Sequence, residues 1–471
     1  MTTHTNNPTR MEADSIGQHA VPVDAYYGVQ SLRARENFPI TGQSLHPRFI
    51  QSLAYVKKAC AITNQTCHRL SEDVAQAIVQ ACDEIINLQL QDAFIVDPIQ
   101  GGAGTSMNMN INEVLANRAI EILGGQKGNY QLVHPNDHVN YGQSTNDVIP
   151  TAGKLTTYQL AQDLIQMLIQ LEEALLDKAQ AFDDIIKMGR TQMQDAIPIR
   201  LGQEFHAYAT AIKRSRQRLE NALDELLTVN LGATAIGTGL NADEHYFTQV
   251  VPELAKVSGL PVHQAEDMID GTQHIDSFAY ISSILKALAL ALSKISNDLR
   301  LMSSGPKTGF NEINLPKKQN GSSIMPGKVN PVIPEVVNQV AFKVCGNDLT
   351  IAMAVEAGQL ELNAFEPVTF FCLFESLTYL KQAIQTLIDN CLKDLTANRD
   401  RCHELVEQSV GTITALVPYI GYQAAADIAK EALTSDQSVK ELVIEKGLLD
   451  QTSLDHLLQA EKMTTPGICQ A

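Results

Sequence analysis

The sequence is poor in aromatic residues and in positive charge. It has no Trp, aromatic residues make up 5% of it, and 35 Lys and Arg stand against 53 Asp and Glu, for a formal net charge of −18. A chain this negative repels nucleic-acid phosphates and anionic lipid. We therefore expect neither nucleic acid nor a membrane as a partner, and the aliphatic composition of these 471 residues favours a helical interior.

Signals for export, crosslinking and metal binding are also scarce. The eight Cys are scattered, with no CxxC and no zinc-like spacing, which predicts reduced and mostly buried thiols and no metal site. The N-terminal MTTHTNNPTR is polar, and no apolar run approaches the ~20 residues of a membrane span. The chain is therefore expected in the cytoplasm.

Long helical patterns occupy the middle of the chain. Residues 155–187 contain no Gly or Pro, and their apolar residues recur at intervals of three and four. Similar stretches cover about 201–229, 274–302, 333–360 and 366–398. They predict an all-α protein with an N-terminal domain at 1–142, a central long-helix bundle at 143–400 and a small helical C-terminal domain at 401–471. ALALAL at 287–292 is apolar all round, so the bundle is expected to be shared between subunits.

The segment GSSIMPGKVNP, which begins at Gly321, is too polar for an ordinary connection between two bundle helices. It is predicted to be a functional loop or a lid. A phosphate-binding loop needs four residues between its glycines and Ser or Thr after its Lys. Here five residues separate Gly321 from Gly327, and Val329 follows Lys328, so that alternative fails.

Two other motifs have a simple structural interpretation. GTGLNA at 237–242 fits a dinucleotide-binding pattern but follows no convincing strand, so a tight loop is predicted. His134 and His138 have the spacing of a metal pair, yet Pro135 lies between them and no further ligand cluster is evident. A helix start capped by Asn136 or Asp137 is predicted instead.

Three polar runs resemble the loop in character, at residues 104–106, 142–147 and 189–192, and each alone could be a capped turn. Together with the loop they reproduce in order the motifs of the fumarase and aspartase superfamily, and the resemblance runs from about Val23 to the end. SSGPKTGFNEINLP, PVIPEVVNQV and EAGQLELNAFEPV resemble the aspartase branch, since a fumarase would read PTQCEA after the loop's Asn.

This resemblance implies a three-domain fold whose central bundle is shared in a homotetramer. It also implies elimination from a small dicarboxylate to give fumarate without a cofactor, with L-aspartate losing ammonia as the expected reaction and fumarate hydration as the alternative. A crystallin-like bulk role is a further class, and the intact signature residues argue against it. Some members are activated by substrate and by a divalent cation such as Mg²⁺.

The resemblance also assigns residues to roles. Ser322 matches the general base, which acts as an oxyanion and takes a proton from a carbon beside a carboxylate. That carboxylate then becomes a doubly charged aci-carboxylate, which needs preorganised donors. The matching donors to it are Thr105, Ser144, Thr145 and Ser323. Residues matching those that hold the other carboxylate are Lys328 and Asn330, and those around the amino group are Asn146, Thr191 and Gln192. A secondary anion site of fumarases is matched by His134, Asn136 and Asp137.

Gln192 stands where fumarases and many relatives carry a His that serves a leaving hydroxyl. Gln cannot donate a catalytic proton, but a protonated substrate amine leaves as neutral NH3 without one, whereas hydroxide is a poor leaving group unless an acid assists it. Gln192 therefore favours an amine substrate. Glu335 matches the Glu that partners that His, so here it is expected to have only a structural role.

The length of one predicted helix leads to an expectation about assembly. Ser144 to Asn146 precede the helix and Thr191 follows it, so about 33 helical residues at ~1.5 Å each separate the two motifs by roughly 50 Å. They cannot meet within one chain. If both touch one substrate, they belong to different subunits of an oligomer.

Overall fold

A computed structural model describes residues 8–435 and 437–469. The described residues are mostly helical, which confirms the predicted all-α class. The α-helices are α1 Val29–Asn37, α2 Pro47–Thr66, α3 Glu72–Ile86, α4 Thr105–Ile122, α5 Thr145–Ala181, α6 Leu201–Ala222, α7 Glu244–Ser258, α8 Asp270–Gln273, α9 Asp276–Met302, α10 Val332–Glu356, α11 Glu366–Leu387, α12 Arg399–Gln408, α13 Val417–Ile420, α14 Tyr422–Thr434, α15 Val439–Glu445 and α16 Gln451–Leu457.

Short strands, which the sequence analysis did not predict, pair two by two. They are β1 Thr9–Asp14, β2 Gly17–Pro22, β3 Ile186–Thr191, β4 Gln194–Arg200, β5 Thr228–Val229, β6 His263–Gln264, β7 Ile313–Asn314 and β8 Thr396–Ala397. The pairs are β1–β2, β3–β4, β5–β6 and β7–β8, and only β5–β6 is parallel. The β3–β4 hairpin is the strand pair that bears on function, because it carries Thr191 and Gln192, which were predicted to lie around the substrate amino group.

The described chain forms two compact units, each assembled from three stretches. Among the described residues, unit 1 takes 8–165, 218–287 and 343–380, and unit 2 takes 166–217, 288–342 and those after 380. Within unit 2 the last helices have their own core, which includes Leu416, Ile428, Leu442 and Leu454. The domain boundaries at 142 and 400 remain a prediction.

Helix α5 begins at Thr145, ten residues before the predicted start, and continues through Pro150. Proline lacks the N–H that would bond to the carbonyl four residues earlier. In this helix that carbonyl belongs to Asn146, and it accepts a hydrogen bond from Asn230 Nδ2 at 3.0 Å instead. A side chain thus replaces the missing backbone donor, which lets the helix start at the polar motif.

Gly153 in α5 also has a packing reason. A Cβ at this position would lie 2.3 Å from the Phe370 ring on α11, so only Gly allows that approach. Phe370 stacks on Phe374 and meets Phe278 edge-on, with ring centroids 5.7 and 5.0 Å apart. Helices α6, α9, α10 and α11 confirm the other four long-helix predictions, although α6 ends at Ala222 rather than near 229 and α11 ends at Leu387 rather than near 398.

Helix α10 carries an apolar stripe that its own chain leaves uncovered. Phe342, Leu349 and Met353 are each about two-thirds exposed. Gly346 lies on the same face, and a Cβ there would meet nothing within 4 Å. Residues spaced by four, three and four share one side of a helix, so the stripe is a continuous surface.

Helix α9 has no uninterrupted apolar run of ~20 residues, because Lys286 and Lys294 divide its sequence. This helix is, among the described residues, long and apolar enough to cross a membrane by length and composition, but half of its most apolar stretch is buried within the protein. One such helix is weak evidence for a span, because core helices pass the same test. The cysteines confirm the sequence prediction, since all eight are free and five are buried.

Candidate active site

The predicted site residues fall into two groups, one in each unit. In unit 1, Ser144, Thr145 and Asn146 form the start of α5 and are half-buried. Thr145 and Asn146 lie in the first turn of the helix rather than before it. The Ser144 hydroxyl accepts the Asn146 N–H at 3.2 Å, and Asn146 Nδ2 donates to the Ala235 carbonyl at 2.7 Å.

Asp147 holds this turn from inside the protein. Its fully buried carboxylate accepts three backbone N–H groups, from Ser144 at 2.9 Å, Gly232 at 3.0 Å and Thr234 at 3.2 Å. Burial raises the pKa of Asp147 to about 6, although these hydrogen bonds act in the opposite direction. The carboxylate therefore ties the turn to the 232–234 loop.

A buried lysine lies against the loop that precedes the same turn. Lys57 on α2 is fully buried, and its Nζ donates to Asn140 Oδ1 and to Gln143 Oε1, both at 2.8 Å. Asn140 Oδ1 also accepts the side-chain amides of Asn108 at 3.1 Å and Asn112 at 3.2 Å. The polar turn is thus supported by a network of buried amides around one cation.

Thr105 begins α4, and its hydroxyl donates to the Gly102 carbonyl at 2.7 Å. Gly104 before it has φ +86°, in the left-handed region, and a Cβ there would lie 3.0 Å from Ile149. Thr105 shares a cavity of about 510 Å³ with His134 and Asn136. Two residues of the predicted secondary anion motif therefore line the same cavity as a predicted carboxylate donor.

The prediction that Asn136 or Asp137 caps a helix at this point was wrong. Residues Pro135–Val139 form one π-helical turn, and its cap is His134, whose Nδ1 accepts the N–H groups of Asn136 and Asp137 at 3.1 Å. The imidazole can reach both N–H groups because Pro135 has no N–H of its own and fixes the first φ of the turn. His138 Nδ1 in turn accepts the His134 N–H at 2.7 Å.

In unit 2, Thr191 and Gln192 lie at the tip of the β3–β4 hairpin. Thr191 pairs with Gln194, so Gln192 and Met193 form a two-residue turn. Both have positive φ, +53° and +65°. Such turns favour Asn-Gly or Gly, since a left-handed conformation costs other residues about 1–2 kcal/mol. Strain of this kind is typical of functional positions, which supports a role for the exposed Gln192.

A buried cluster of charges anchors this hairpin. Arg190 donates from Nη1 to Glu312 Oε1 at 2.7 Å and stacks on the Phe310 ring, 4.0 Å from its centroid. Lys187 Nζ lies 3.1 Å from Glu312 Oε2 and donates to Glu204 at 2.8 Å. Glu312 is fully buried and Lys187 is 3% exposed, whereas Arg190 is 14% and Glu204 is 20% exposed. Largely buried ion pairs therefore fix the strand before the turn.

The GSSIMPGKVNP loop closes on itself at its base. The Gly321 N–H donates to the Lys328 carbonyl at 3.0 Å, and Asn330 Nδ2 donates to the Gly321 carbonyl at 2.6 Å. A Cβ on Gly321 would lie 2.2 Å from the Lys328 carbonyl oxygen, so Gly is required for this closure. Gly327, with φ +82°, turns the chain back.

Within this loop Ser322 Oγ accepts two backbone N–H groups, from Ile324 at 3.2 Å and Met325 at 3.0 Å. Hydrogen bonds donated to an oxygen favour its charged form. The arrangement supplies part of what a serine base needs, which the sequence alone did not reveal. Ser323 and Lys328 are exposed, and among the described residues no carboxylate lies within ion-pair distance of Lys328.

Glu335 was expected to have only a structural role, and no metal site was expected from the sequence. Glu335 Oε1 lies 3.9 Å from Arg300 Nη2, which fits the structural role expected for it. Over residues 8–435 and 437–469, no group of three or more His, Cys, Asp or Glu side chains could hold a metal ion.

The sequence analysis did not predict the residues that hold the predicted substrate-binding residues in place. Lys57 occurs in LAYVKKACAI, where a Lys in an apolar helix is a signal of buried charge. Glu312 lies within SSGPKTGFNEINLP and Arg190 within the polar run 189–192, but only the fold brings their side chains together. The positive φ of Met193 could not be predicted from the sequence, because it depends on the register of the hairpin.

Comparison with known families identifies the chain as a lyase of the fumarase type. The family model described as Lyase matches residues 17–346, and that described as Fumarase C C-terminus matches 413–465. Among solved structures, class II fumarase from Schistosoma mansoni is 34% identical with a TM-score of 0.93, covering 97% of this chain and 99% of that one. The cobalt-bound fumarate lyase:delta crystallin from Brucella melitensis is 48% identical with a TM-score of 0.95, covering 98% and 100%.

Sequence relatives identify the branch. Aspartate ammonia-lyase from Bacillus sp is 52% identical over 463 residues, covering 98% of this chain and 99% of that protein. Aspartate ammonia-lyase from Escherichia coli (strain K12) is 48% identical over 464 residues, covering 98% and 97%. The chain belongs to the aspartate ammonia-lyase family, which confirms the resemblance inferred from its motifs.

Proposed function

We propose that the protein catalyses the reversible elimination of ammonia from L-aspartate to give fumarate. The observation that carries this proposal is Gln192, held at the tip of a strained turn where an acid for a leaving hydroxyl would be needed. The names of the relatives at about 50% identity support the same substrate. Fumarate hydration is the alternative.

In the proposed mechanism Ser322 takes the Cβ proton of L-aspartate. Its oxyanion is stabilised by the N–H groups of Ile324 and Met325, already directed at Oγ. The proton moves to Ser322, and its electron pair moves into the adjacent carboxylate to form the aci-carboxylate. Collapse of that intermediate forms the double bond and expels the protonated amine as NH3.

The remaining residues have binding roles in this proposal. Lys328 attracts the other carboxylate as a point charge, and Asn330 donates to it from its amide. Asn330 Nδ2 already bonds the Gly321 carbonyl, so its second amide hydrogen serves the substrate. The donors to the aci-carboxylate are Thr105, Ser144, Thr145 and Ser323, and the residues around the amine are Asn146, Thr191 and Gln192.

Mixing the purified protein with L-aspartate and following fumarate by its ultraviolet absorbance tests the substrate. We expect fumarate from L-aspartate and none from L-malate. Activity on L-malate with no product from L-aspartate would establish the hydro-lyase alternative. The His134, Asn136 and Asp137 motif is proposed as a secondary anion site, so His134→Ala should leave turnover of L-aspartate unchanged when substrate is saturating.

We further propose a homotetramer in the cytoplasm, with three domains per chain and active sites built from several subunits. Helix α5 supports this, because its 37 residues make a helix about 55 Å long that begins at Thr145 and precedes the strand that carries Thr191. The uncovered stripe on α10 supports burial against other subunits. Mixing inactive Ser322→Ala subunits with inactive Thr191→Ala subunits should restore partial activity, and no recovery in verified mixed tetramers would refute shared sites.

The elimination itself is proposed to need no cofactor, and Mg²⁺ is proposed only as an activator. All steps above use side chains and backbone amides of the chain itself. Treatment with EDTA should therefore lower the rate without abolishing it, and added Mg²⁺ should restore the initial rate. Complete loss of activity in EDTA would contradict a cofactor-free elimination.

A further inference from the structure

Lys57 determines which way the buried amides beneath the Ser144–Asn146 turn can point. An ammonium group has hydrogen-bond donors and no acceptor. Since Lys57 Nζ lies 2.8 Å from both Asn140 Oδ1 and Gln143 Oε1, both amides must direct their oxygens toward it. A neutral side chain would impose no such direction, because an amide can either donate or accept.

This direction is passed on through two further residues. Asn140 Oδ1, turned toward Lys57, also accepts Asn108 Nδ2 at 3.1 Å, so Asn108 presents its amino group. The same Asn108 Nδ2 reaches Thr145 Oγ1 at 3.4 Å. A threonine oxygen that accepts from an amide keeps its own O–H free to donate elsewhere. Thr145 is thereby prepared as a donor.

We propose that Lys57 is a positioning residue, whose buried ammonium fixes the polarity of the Asn140–Asn108–Thr145 relay so that the Thr145 hydroxyl donates to the substrate carboxylate. The proposal rests on the proposed function, in which that carboxylate gains a second negative charge. A donor already directed at it needs no reorganisation as the charge develops. The contribution is therefore greater in the transition state than in the bound substrate.

Within the part of the chain that the structure describes, no ion pair accounts for the buried charge of Lys57. Among the described residues it has no carboxylate within ion-pair distance, and a buried charge without a close partner is costly. The titratable groups that face it are Asp147 on α5, Cys60 on its own helix and Cys82 on α3, with Tyr246 of α7 bonded to Cys60 at 3.2 Å. Burial lowers the pKa of Lys57 to about 8, against the attraction of these groups.

The test compares Lys57→Met with Lys58→Met in the full-length enzyme. Lys58 is the next residue on α2 and pairs with Asp83 at the partly exposed surface, so its variant removes the same charge away from the relay. For Lys57→Met we expect kcat and kcat/KM for L-aspartate to fall together by about 100-fold, as when a transition-state donor is lost. Lys58→Met should retain wild-type kinetics.

Two inhibitors separate positioning from simple structural damage. Succinate carries ordinary carboxylates, whereas the nitronate of 3-nitropropionate carries two negative oxygens on one end, as the aci-carboxylate does. Lys57→Met should weaken nitronate inhibition by about tenfold or more and succinate inhibition by less than about threefold. Equal losses for both inhibitors, or wild-type kcat in a folded variant, would overturn the proposal.

A second variant covers the case in which Lys57→Met does not fold. Asn108→Leu has a similar volume, keeps the charge of Lys57 and interrupts the relay before Thr145. It should show the same preferential loss of nitronate binding, and unchanged nitronate inhibition in this variant would also overturn the proposal. A wild-type protein inactive on L-aspartate would instead contradict the proposed function, and the two inhibitors would still test Lys57.

Discussion

The two-residue turn at Gln192 and Met193 allows stability and function to be separated by neighbouring substitutions. Both residues have φ in the left-handed region, yet only Gln192 is proposed to contact the substrate. Met193 is 57% exposed, so replacing its side chain disturbs little packing. We therefore predict that Met193→Gly and Gln192→Gly both stabilise the protein, and that only Gln192→Gly loses activity.

The size of the stabilisation follows from the turn geometry. Relief of a left-handed conformation in a non-glycine residue is worth about 1–2 kcal/mol. The greater entropy that Gly loses on folding costs about 0.5–1 kcal/mol of this. The net gain is about 0.5–1 kcal/mol per subunit, or a rise in Tm of about 0.5–1 °C in a chain of this size.

The activity change follows from one lost contact. A hydrogen bond to a charged group is worth about 1.5–3 kcal/mol, so Gln192→Gly should lower kcat/KM for L-aspartate by about 10- to 100-fold. Both Tm values should be measured at one scan rate and one protein concentration, since unfolding of an oligomer depends on both. A lower Tm for Met193→Gly, or full activity for Gln192→Gly, would refute this reasoning.

Three further predictions concern other parts of the chain. Ser322→Ala should lower kcat by at least about 10³-fold, while the oligomer and succinate binding are retained. Loss of the oligomer on gel filtration would indicate that the loop has a structural role instead. Gly346→Leu should shift the protein to smaller species in sedimentation, whereas a free α10 face would tolerate it. Because burial lowers the pKa of Lys57 to about 8, the unfolded chain holds more protons between pH 8 and 10.5. The Tm of wild type relative to Lys57→Met should therefore rise across that window, and a constant difference would contradict the shift.

The long helices could be predicted because their apolar spacing is a local property. The start of α5 could not, since Pro150 and Gly153 normally mark a helix boundary and here are accommodated by Asn230 and the Phe370 ring. Those partners are distant in sequence. The same limit explains the missed β3–β4 hairpin, whose turn lacks the usual Gly and Asn signals.

The candidate site was predictable to the extent that its residues lie in contiguous polar motifs. The loop motif predicted Ser322 as the base. It did not predict the two backbone amides directed at Ser322 Oγ, because they depend on the closure of the loop between Gly321 and Lys328. The cap at His134 was misassigned because an imidazole is an uncommon cap, which Pro135 makes possible here. The Lys57 relay joins three stretches of chain, around residues 57, 108 and 140–145, so no local pattern reveals it.

The central claim is that a serine in the GSSIMPGKVNP loop removes a proton so that an amine, not hydroxide, leaves. The most direct test counts ammonia and fumarate in the same reaction of purified protein with L-aspartate, with no cofactor added. The account predicts one ammonia released for each fumarate formed, with both lost in Ser322→Ala. No fumarate and no ammonia from L-aspartate, or undiminished release of both by Ser322→Ala, would contradict it.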